Sequence, residues 1–170
     1  MIFYTADPHF GDERIMKLCQ RPYPSVAEMD EDLIARWNRA VSSEDIVYLV
    51  GDVAVDDETA CRILPRLRGH KHLIVGNHDT VLKESRNLFE SISLLRTIQD
   101  DGRSVCLCHY PLLSYENSVY GGYHVFGHIH NNPADPACNL VKSIPRIYHA
   151  GVDVCDYSPQ TLDALMERKS

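Results

Sequence analysis

Short apolar runs, each breaking off into a cluster of glycine, aspartate, asparagine or histidine, constrain this chain more than any other feature. Ile2 to Ala6 leads into Asp7-Pro8-His9, Ile46 to Val50 into Gly51-Asp52, and Leu73 to Val75 into Gly76-Asn77-His78-Asp79. Val105 to Cys108 leads into His109-Tyr110-Pro111, and Tyr123 to Phe126 into Gly127-His128-Ile129-His130. The runs are rich in β-branched or aromatic residues, which predicts strands. Their nearly continuous apolar character predicts strands covered on both faces.

Helical patterns separate several of the runs. Ser25-Val26-Ala27-Glu28 is a capping-box signature, and Val26, Met29, Leu33, Trp37 and Val41 then recur at helical spacing. A second helix is expected from about Asp57 to Leu67, with Gly69 as its stop and Pro65 weakening its last turn. A third, weaker one is expected after Asp79, and a short final one from Ser158-Pro159, a cap followed by the proline favoured in a first turn. Asp100-Asp101-Gly102, between Ile92 to Ile98 and Arg103 to Cys108, marks a hairpin. Asn131 to Ser143, with Pro133 and Pro136, reads as a surface loop. Strands alternating with helices, plus a hairpin, predict an α/β fold with mixed sheets. The 170 residues suit a single domain over positions 1–170.

The stretch Met1 to Asp7 has neither the basic start nor the long apolar core of a signal peptide. No apolar run approaches the ~20 residues of a membrane helix. The expected compartment is therefore the cytosol, with no membrane partner. Cys19, Cys61, Cys106, Cys108, Cys138 and Cys155 form no zinc-type pair. Cys106 and Cys108 would sit roughly 6.5–7 Å apart on one strand face, a poor distance for a bridge. All six read as reduced thiols. The 24 acidic and 17 basic residues give a net charge of −7. That balance argues against wrapping a long nucleic-acid backbone and suits carboxylates that bind cations.

In open α/β folds, ligands bind beyond the carboxyl ends of the strands. The polar clusters lie there, and they offer two carboxylates, Asp7 and Asp52, one amide, Asn77, and four imidazoles, His9, His109, His128 and His130. Nitrogen and oxygen donors without thiolate suit Mn, Fe, Zn, Co or Ni. Seven ligands are too many for one ion and suffice for two if a carboxylate bridges. Two ions about 3.5–4 Å apart can clamp the attacking and leaving oxygens of a displacement at phosphorus, and a water between them becomes a nucleophile. A nearby histidine such as His78 can protonate the leaving oxygen. Gly51, Gly76 and Gly127 precede ligands where the chain leaves a strand and approaches its neighbours closely.

Asp7-x-His9, Gly51-Asp52, Gly76-Asn77-His78-Asp79, His109 and Gly127-His128-x-His130 resemble, in order, the five motifs of the calcineurin-like metallophosphoesterase superfamily. They span residues 7 to 130. Arg21-Pro22-Tyr23, Trp37-Asn38, His109-Tyr110-Pro111 and Gly151-Val152-Asp153-Val154 are similar to a small, capless bacterial and phage-associated branch. The resemblance implies a four-layer α-β-β-α sandwich of two mixed sheets flanked by helices. It implies that Asp7, His9 and His130 hold one divalent ion, foremost manganese, that Asn77, His109 and His128 hold a second, and that Asp52 bridges them. It makes His78 the acid or phosphate-binding histidine, oriented by Asp79. Ala6 stands where serine is frequent, and Asp12 where histidine is expected in that branch. Neither is a ligand position.

The remaining polar residues have plainer readings. His70 and His72 are expected to be solvated at a strand start, His124 to be packed or at an edge, and His149, which precedes Gly151, could approach the site but is not counted in it. Arg14 and Asn38 could touch phosphate, although surface solvation is the favoured reading for Arg14 and bonds to backbone groups serve equally for Asn38. Tyr115, Tyr120 and Tyr123 could stack on a base or aryl group, or pack in the core. Asp153 and Asp156 read as turn and cap residues. The expected activity is hydrolysis of a phosphate ester, a phosphodiester before a monoester, on a small ester or nucleotide. The alternatives are a catalytically silent scaffold of the same fold and a nuclease for short oligonucleotides.

Overall fold

Across residues 1–169, which the computed structural model describes, eight short strands form two sheets of four. The first sheet runs β1 (Ile2–Thr5), β2 (Ile46–Leu49), β3 (His70–Ile74) and β4 (Ser91–Ser93), all parallel. The second runs β5 (Leu95–Asp100), β6 (Arg103–Cys108), β7 (Tyr123–Phe126) and β8 (Ile147–His149). There β5 and β6 are antiparallel, as the Asp-Gly hairpin requires, and the other pairs are parallel. Mixing of strand directions is thus confined to the second sheet.

The two faces of the first sheet bury different residues, because side chains alternate along a strand. Phe3, Val47, Leu49 and Leu73 face one cluster with Met29, Leu33, Trp37 and Ile63. Tyr4, Tyr48 and Ile74 face the other, where they meet Ile98, Val105, Leu107 and Val125 of the second sheet. The outer face of the second sheet adds Phe126 and Ile147, covered by Val141. Helices therefore flank both sheets, and the architecture is the α-β-β-α sandwich.

Local chemistry sets the helices. In α2 (Val26–Ala40), the Ser25 hydroxyl accepts from the Glu28 amide and the apolar stripe Met29, Leu33, Ile34, Trp37 is buried. In α3 (Asp57–Ile63), Asp56 caps the first turn, and Pro65 tightens the end into a 3-10 turn, Leu64–Arg66. The segment after Asp79 forms two 3-10 turns, Asp79–Val81 and Glu84–Leu88. The last helix, which we label α5 (Leu162–Lys169), starts after the Ser158-Pro159 turn rather than at it. Two helices were not expected from the sequence pattern. One is α1 (Glu13–Leu18), capped by Asp12. The other is α4 (Pro136–Ser143), capped by Asp135 with proline in its first turn, inside the stretch read as a loop. Strand β8 was also unexpected, and the single run Ile92 to Ile98 is divided at Leu94, 75% exposed, where the chain passes from one sheet to the other.

Among the described residues, no helix is long and apolar enough to cross a membrane. All six cysteines are free.

Candidate metal centre

The carboxyl ends of β1, β2, β3, β6 and β7 carry Asp7 and His9, Asp52, Asn77, His109, and His128 and His130 in turn. Five of these residues hold a left-handed backbone: Asp7 (φ 56°), His9 (φ 48°), Asp52 (φ 57°), His128 (φ 74°) and His130 (φ 48°). Such conformations cost on the order of 1–3 kcal/mol each outside glycine and persist where the surroundings enforce them. Here the loops enforce one another. Asp7 N donates to Gly51 O at 3.0 Å and His9 N to Asp52 O at 3.1 Å, while Gly127 N donates to His109 O at 2.9 Å. The His128 amide lies on the Asp7 carboxylate, 3.0 and 2.9 Å from its two oxygens. Gly51 combines φ +93° with a close approach: a Cβ there would lie 2.3 Å from His109 Nδ1. Gly76 is required by contact alone, since its Cβ would lie 2.3 Å from Asp52 Oδ1.

Asp52 sits between two groups of imidazoles. Its Oδ2 is 3.5 Å from His9 Nε2 and 3.4 Å from His109 Nε2, and its Oδ1 accepts from the His78 amide at 2.8 Å. Asn77 Oδ1 lies 3.0 Å from both His109 Nε2 and His128 Nδ1. Asp7, His9 and His130 offer ligand atoms all within 4.8 Å of one another, and so do Asp7, Asp52 and His109. The structure thus brings all seven predicted ligands to one place.

The donor set fits divalent cations. His9 Nε2 is buried with no hydrogen-bond partner. His109 donates Nδ1–H to the Val50 carbonyl at 2.8 Å, which turns the Nε2 lone pair toward the Asp52 and Asn77 oxygens. Lone pairs facing lone pairs repel unless a proton or a cation lies between them. The charges agree. Burial alone would raise the Asp52 carboxyl, but His109, His9 and the His78 amide hold it far below the usual carboxylate range. Burial acts the same way on Asp7, where His149, His130 and His109 reverse it. Burial pulls His109 down, yet Asp52 and Asp7 bring it above its ordinary value. His128 is lowered by burial and by His109.

His78 is exposed at the mouth, its ring 5.3 Å from that of His9. Asp79 does not bear on that ring as expected. Its carboxylate accepts the amides of Gly76 at 2.7 Å, Asp52 at 2.9 Å and Val53 at 2.8 Å, so it ties two ligand loops together through their backbones. Burial raises its carboxyl. Asn38 is engaged elsewhere: it donates to Arg66 O at 2.8 Å and accepts from the Arg68 amide at 2.9 Å. Arg14 is exposed and paired with Asp12. Tyr115 packs on His124 and Tyr123 on Tyr148, whereas Tyr120 is 87% exposed. His124 is buried, with its ring between Cys106 O and the Leu112 amide.

Three residues at the centre were not anticipated. Asp153 accepts from His130 Nδ1 at 2.7 Å and is paired with Arg21. Burial would lower His130, but Asp153, Cys19 and Asp7 push it up to about 10. Asp153 itself falls to about 2, because His130 and Arg21 outweigh its burial. His149 lies 3.9 Å from Asp7 Oδ2, stacked on Phe126, its buried Nε2 otherwise unpartnered. The available signal was a sixth apolar run, Ile147 to Ala150, ending in Gly151-Val152-Asp153. Cys19, His130 and Asp153 also converge within 4.8 Å. Arg21 already engages both oxygens of Asp153, so that carboxylate orients His130 and is not offered to a cation.

No family model matches the chain. The uncharacterized protein MJ1445 of Methanocaldococcus jannaschii is 32% identical over 171 residues, covering 98% of this chain and 89% of that protein. Among solved structures, the protein of unknown function AQ665 from Aquifex aeolicus aligns with a TM-score of 0.72 at 24% identity, over 94% of both chains. Pseudomonas putida nuclease MPE aligns with a TM-score of 0.50 at 17% identity, over 76% of this chain and 61% of that one. These two are likenesses of fold.

Proposed function

The chain belongs to the same family as the Methanocaldococcus jannaschii protein, and we propose that it is a metal-dependent phosphoesterase of the calcineurin-like type that hydrolyses a small phosphodiester in preference to a monoester. The observation that carries this reading is the convergence of seven nitrogen and oxygen donors at the ends of five strands, with His9 Nε2 left buried without a hydrogen bond among them. Asp7, His9 and His130 would hold one ion, Asn77, His109 and His128 a second, and Asp52 would lie between the two. Two such ions, manganese first and iron, zinc, cobalt or nickel otherwise, would supply Lewis acidity to the phosphoryl oxygens.

The chain's own residues would do the rest. His78, at the mouth and fixed through its amide to Asp52 Oδ1, would give a proton to the leaving oxygen. Asp79 would keep the second and third ligand loops in register through its three amide bonds. The preference for a diester follows from charge. Arg21 is committed to Asp153 and to two backbone carbonyls, and Arg14 to Asp12. A centre whose nearby arginines are engaged suits the single charge of a diester better than the dianion of a monoester. With a net charge of −7, small nucleotides are favoured over long nucleic acid. The six free thiols accord with a cytosolic setting for a single-domain enzyme. A silent scaffold has no observation in its favour, since every ligand position is filled.

The test is turnover of paired aryl phosphate diesters and monoesters by manganese-loaded protein, beside His78→Ala and Asp52→Asn. We expect diester turnover to fall roughly 10²–10⁴-fold in His78→Ala with metal content kept, and to vanish in Asp52→Asn together with a loss of bound metal. Full activity in metal-free protein would overturn the mechanism. Turnover confined to monoesters would overturn the substrate class.

A further inference from the structure

We infer that Arg21 and Asp153 form a clamp that sets the cation affinity of one half of the centre, the half built from Asp7, His9 and His130; the inference rests on the metal-centre reading above. Arg21 is buried, at 4% exposure. Its Nη1 donates to Pro8 O at 2.7 Å and its Nη2 to Asp7 O at 2.8 Å, which pins the backbone between the two left-handed ligands of the first loop. The same guanidinium bonds Asp153, Nε to Oδ1 at 2.7 Å and Nη2 to Oδ2 at 3.1 Å. Asp153 Oδ2 in turn accepts from His130 Nδ1 at 2.7 Å. One continuous set of bonds therefore runs from the carbonyls of Asp7 and Pro8 to the ring of His130.

The chemistry of each link favours this role. A carboxylate on Nδ1 fixes the tautomer, leaves Nε2 to bind, and makes the imidazole a better donor. The bidentate guanidinium holds that carboxylate in one orientation, which a lysine cannot do. Arg21 and Asp153 also neutralise each other, so breaking one leaves an uncompensated buried charge. The other half is held differently: His109 Nδ1 rests on a neutral backbone carbonyl, Val50 O, at 2.8 Å. Ionic support on one side and peptide support on the other predict two unequal affinities, and only one of them is under the control of Asp153.

The experiment is a calorimetric manganese titration of metal-free protein: wild type, Asp153→Asn and Arg21→Lys, with circular dichroism and melting recorded for each. Wild type is expected to bind two ions. In Asp153→Asn one affinity, corrected over a pH series for the proton that the cation displaces, should weaken roughly 10–100-fold and the other stay at its wild-type value, and Arg21→Lys should show a smaller loss at the same position. Two wild-type affinities in folded Asp153→Asn would overturn the clamp and leave the phosphoesterase reading standing. Equal weakening at both positions would also overturn it, because that is the mark of a general structural role. If Asp153→Asn does not fold, Arg21→Lys decides by the same criteria. Wild type that binds no manganese would overturn the metal centre itself and the clamp with it.

Discussion

His130 shows how a single residue can link proton and cation at this centre. In spite of burial, Asp153 pushes its imidazole up to about 10, against an ordinary value of 6.5. The His130–Asp153 pair therefore contributes stability that is fully present between about 3.8 and 6.5, is lost as pH rises through about 10 and is lost as pH falls through about 2. In metal-free protein Asp153 favours the protonated ring, so a cation that binds there would displace that proton. Apparent affinity should then rise with pH over this window, by about tenfold per pH unit for each proton displaced. Titration in buffers of different ionisation enthalpy should show at least one proton released per chain at neutral pH, and Asp153→Asn should release fewer. Metal uptake with no proton release would contradict this account of His130. The convergence of the candidate ligands was legible because aspartate, asparagine and histidine fall just past apolar runs. Their supports were not. Arg21 and Asp153 lie 132 positions apart, and no local pattern pairs them. Asp79 was misread for a related reason: its neighbour in sequence is His78, while its bonds go to amides up to 27 positions away.

At the scale of elements, the short helix α1 matters more than its length suggests. Asp12 accepts the amides of Arg14 at 2.9 Å and Ile15 at 3.3 Å, and after the helix the Arg21 amide returns to Met16 O at 2.9 Å. The cap thus helps place the arginine that pins the first ligand loop. Asp12→Ala should lower stability by about 1 kcal/mol, read as a shifted urea midpoint with an unchanged slope. An unshifted midpoint would show that the cap carries no such weight. The sequence hid α1 because six residues cannot display a helical period, and it hid α4 because Pro136 and the surrounding polar residues mimic a loop. Strand β8 lies in the run Ile147 to Ala150, which His149 interrupts, and the aspartates that follow it were read as turn and cap residues. The long helix α2 and the buried strands were readable because their apolar positions repeat over several turns or fill an entire run. Pro65 and Leu94 show where pattern yields to context: one converts a helix end to a 3-10 turn, and the other marks the passage between sheets.

At the scale of the molecule, the sandwich explains why seven side chains from distant segments can meet. Parallel pairing within each sheet points β1, β2 and β3, and likewise β6 and β7, toward one edge. The core between the sheets, with Tyr4, Tyr48, Ile74, Val105, Leu107 and Val125 buried, holds those edges together. The loops then need to be only a few residues long, and strained backbone at five of these residues is tolerated because two sheets support it. The central claim is that this edge holds two divalent ions among Asp7, His9, Asp52, Asn77, His109, His128 and His130. The most direct test is a crystal structure of manganese-soaked protein with anomalous scattering recorded at the manganese edge. The account predicts two anomalous peaks about 3.5–4 Å apart, with Asp52 between them. Peaks elsewhere, or none at this edge in fully loaded protein, would contradict it.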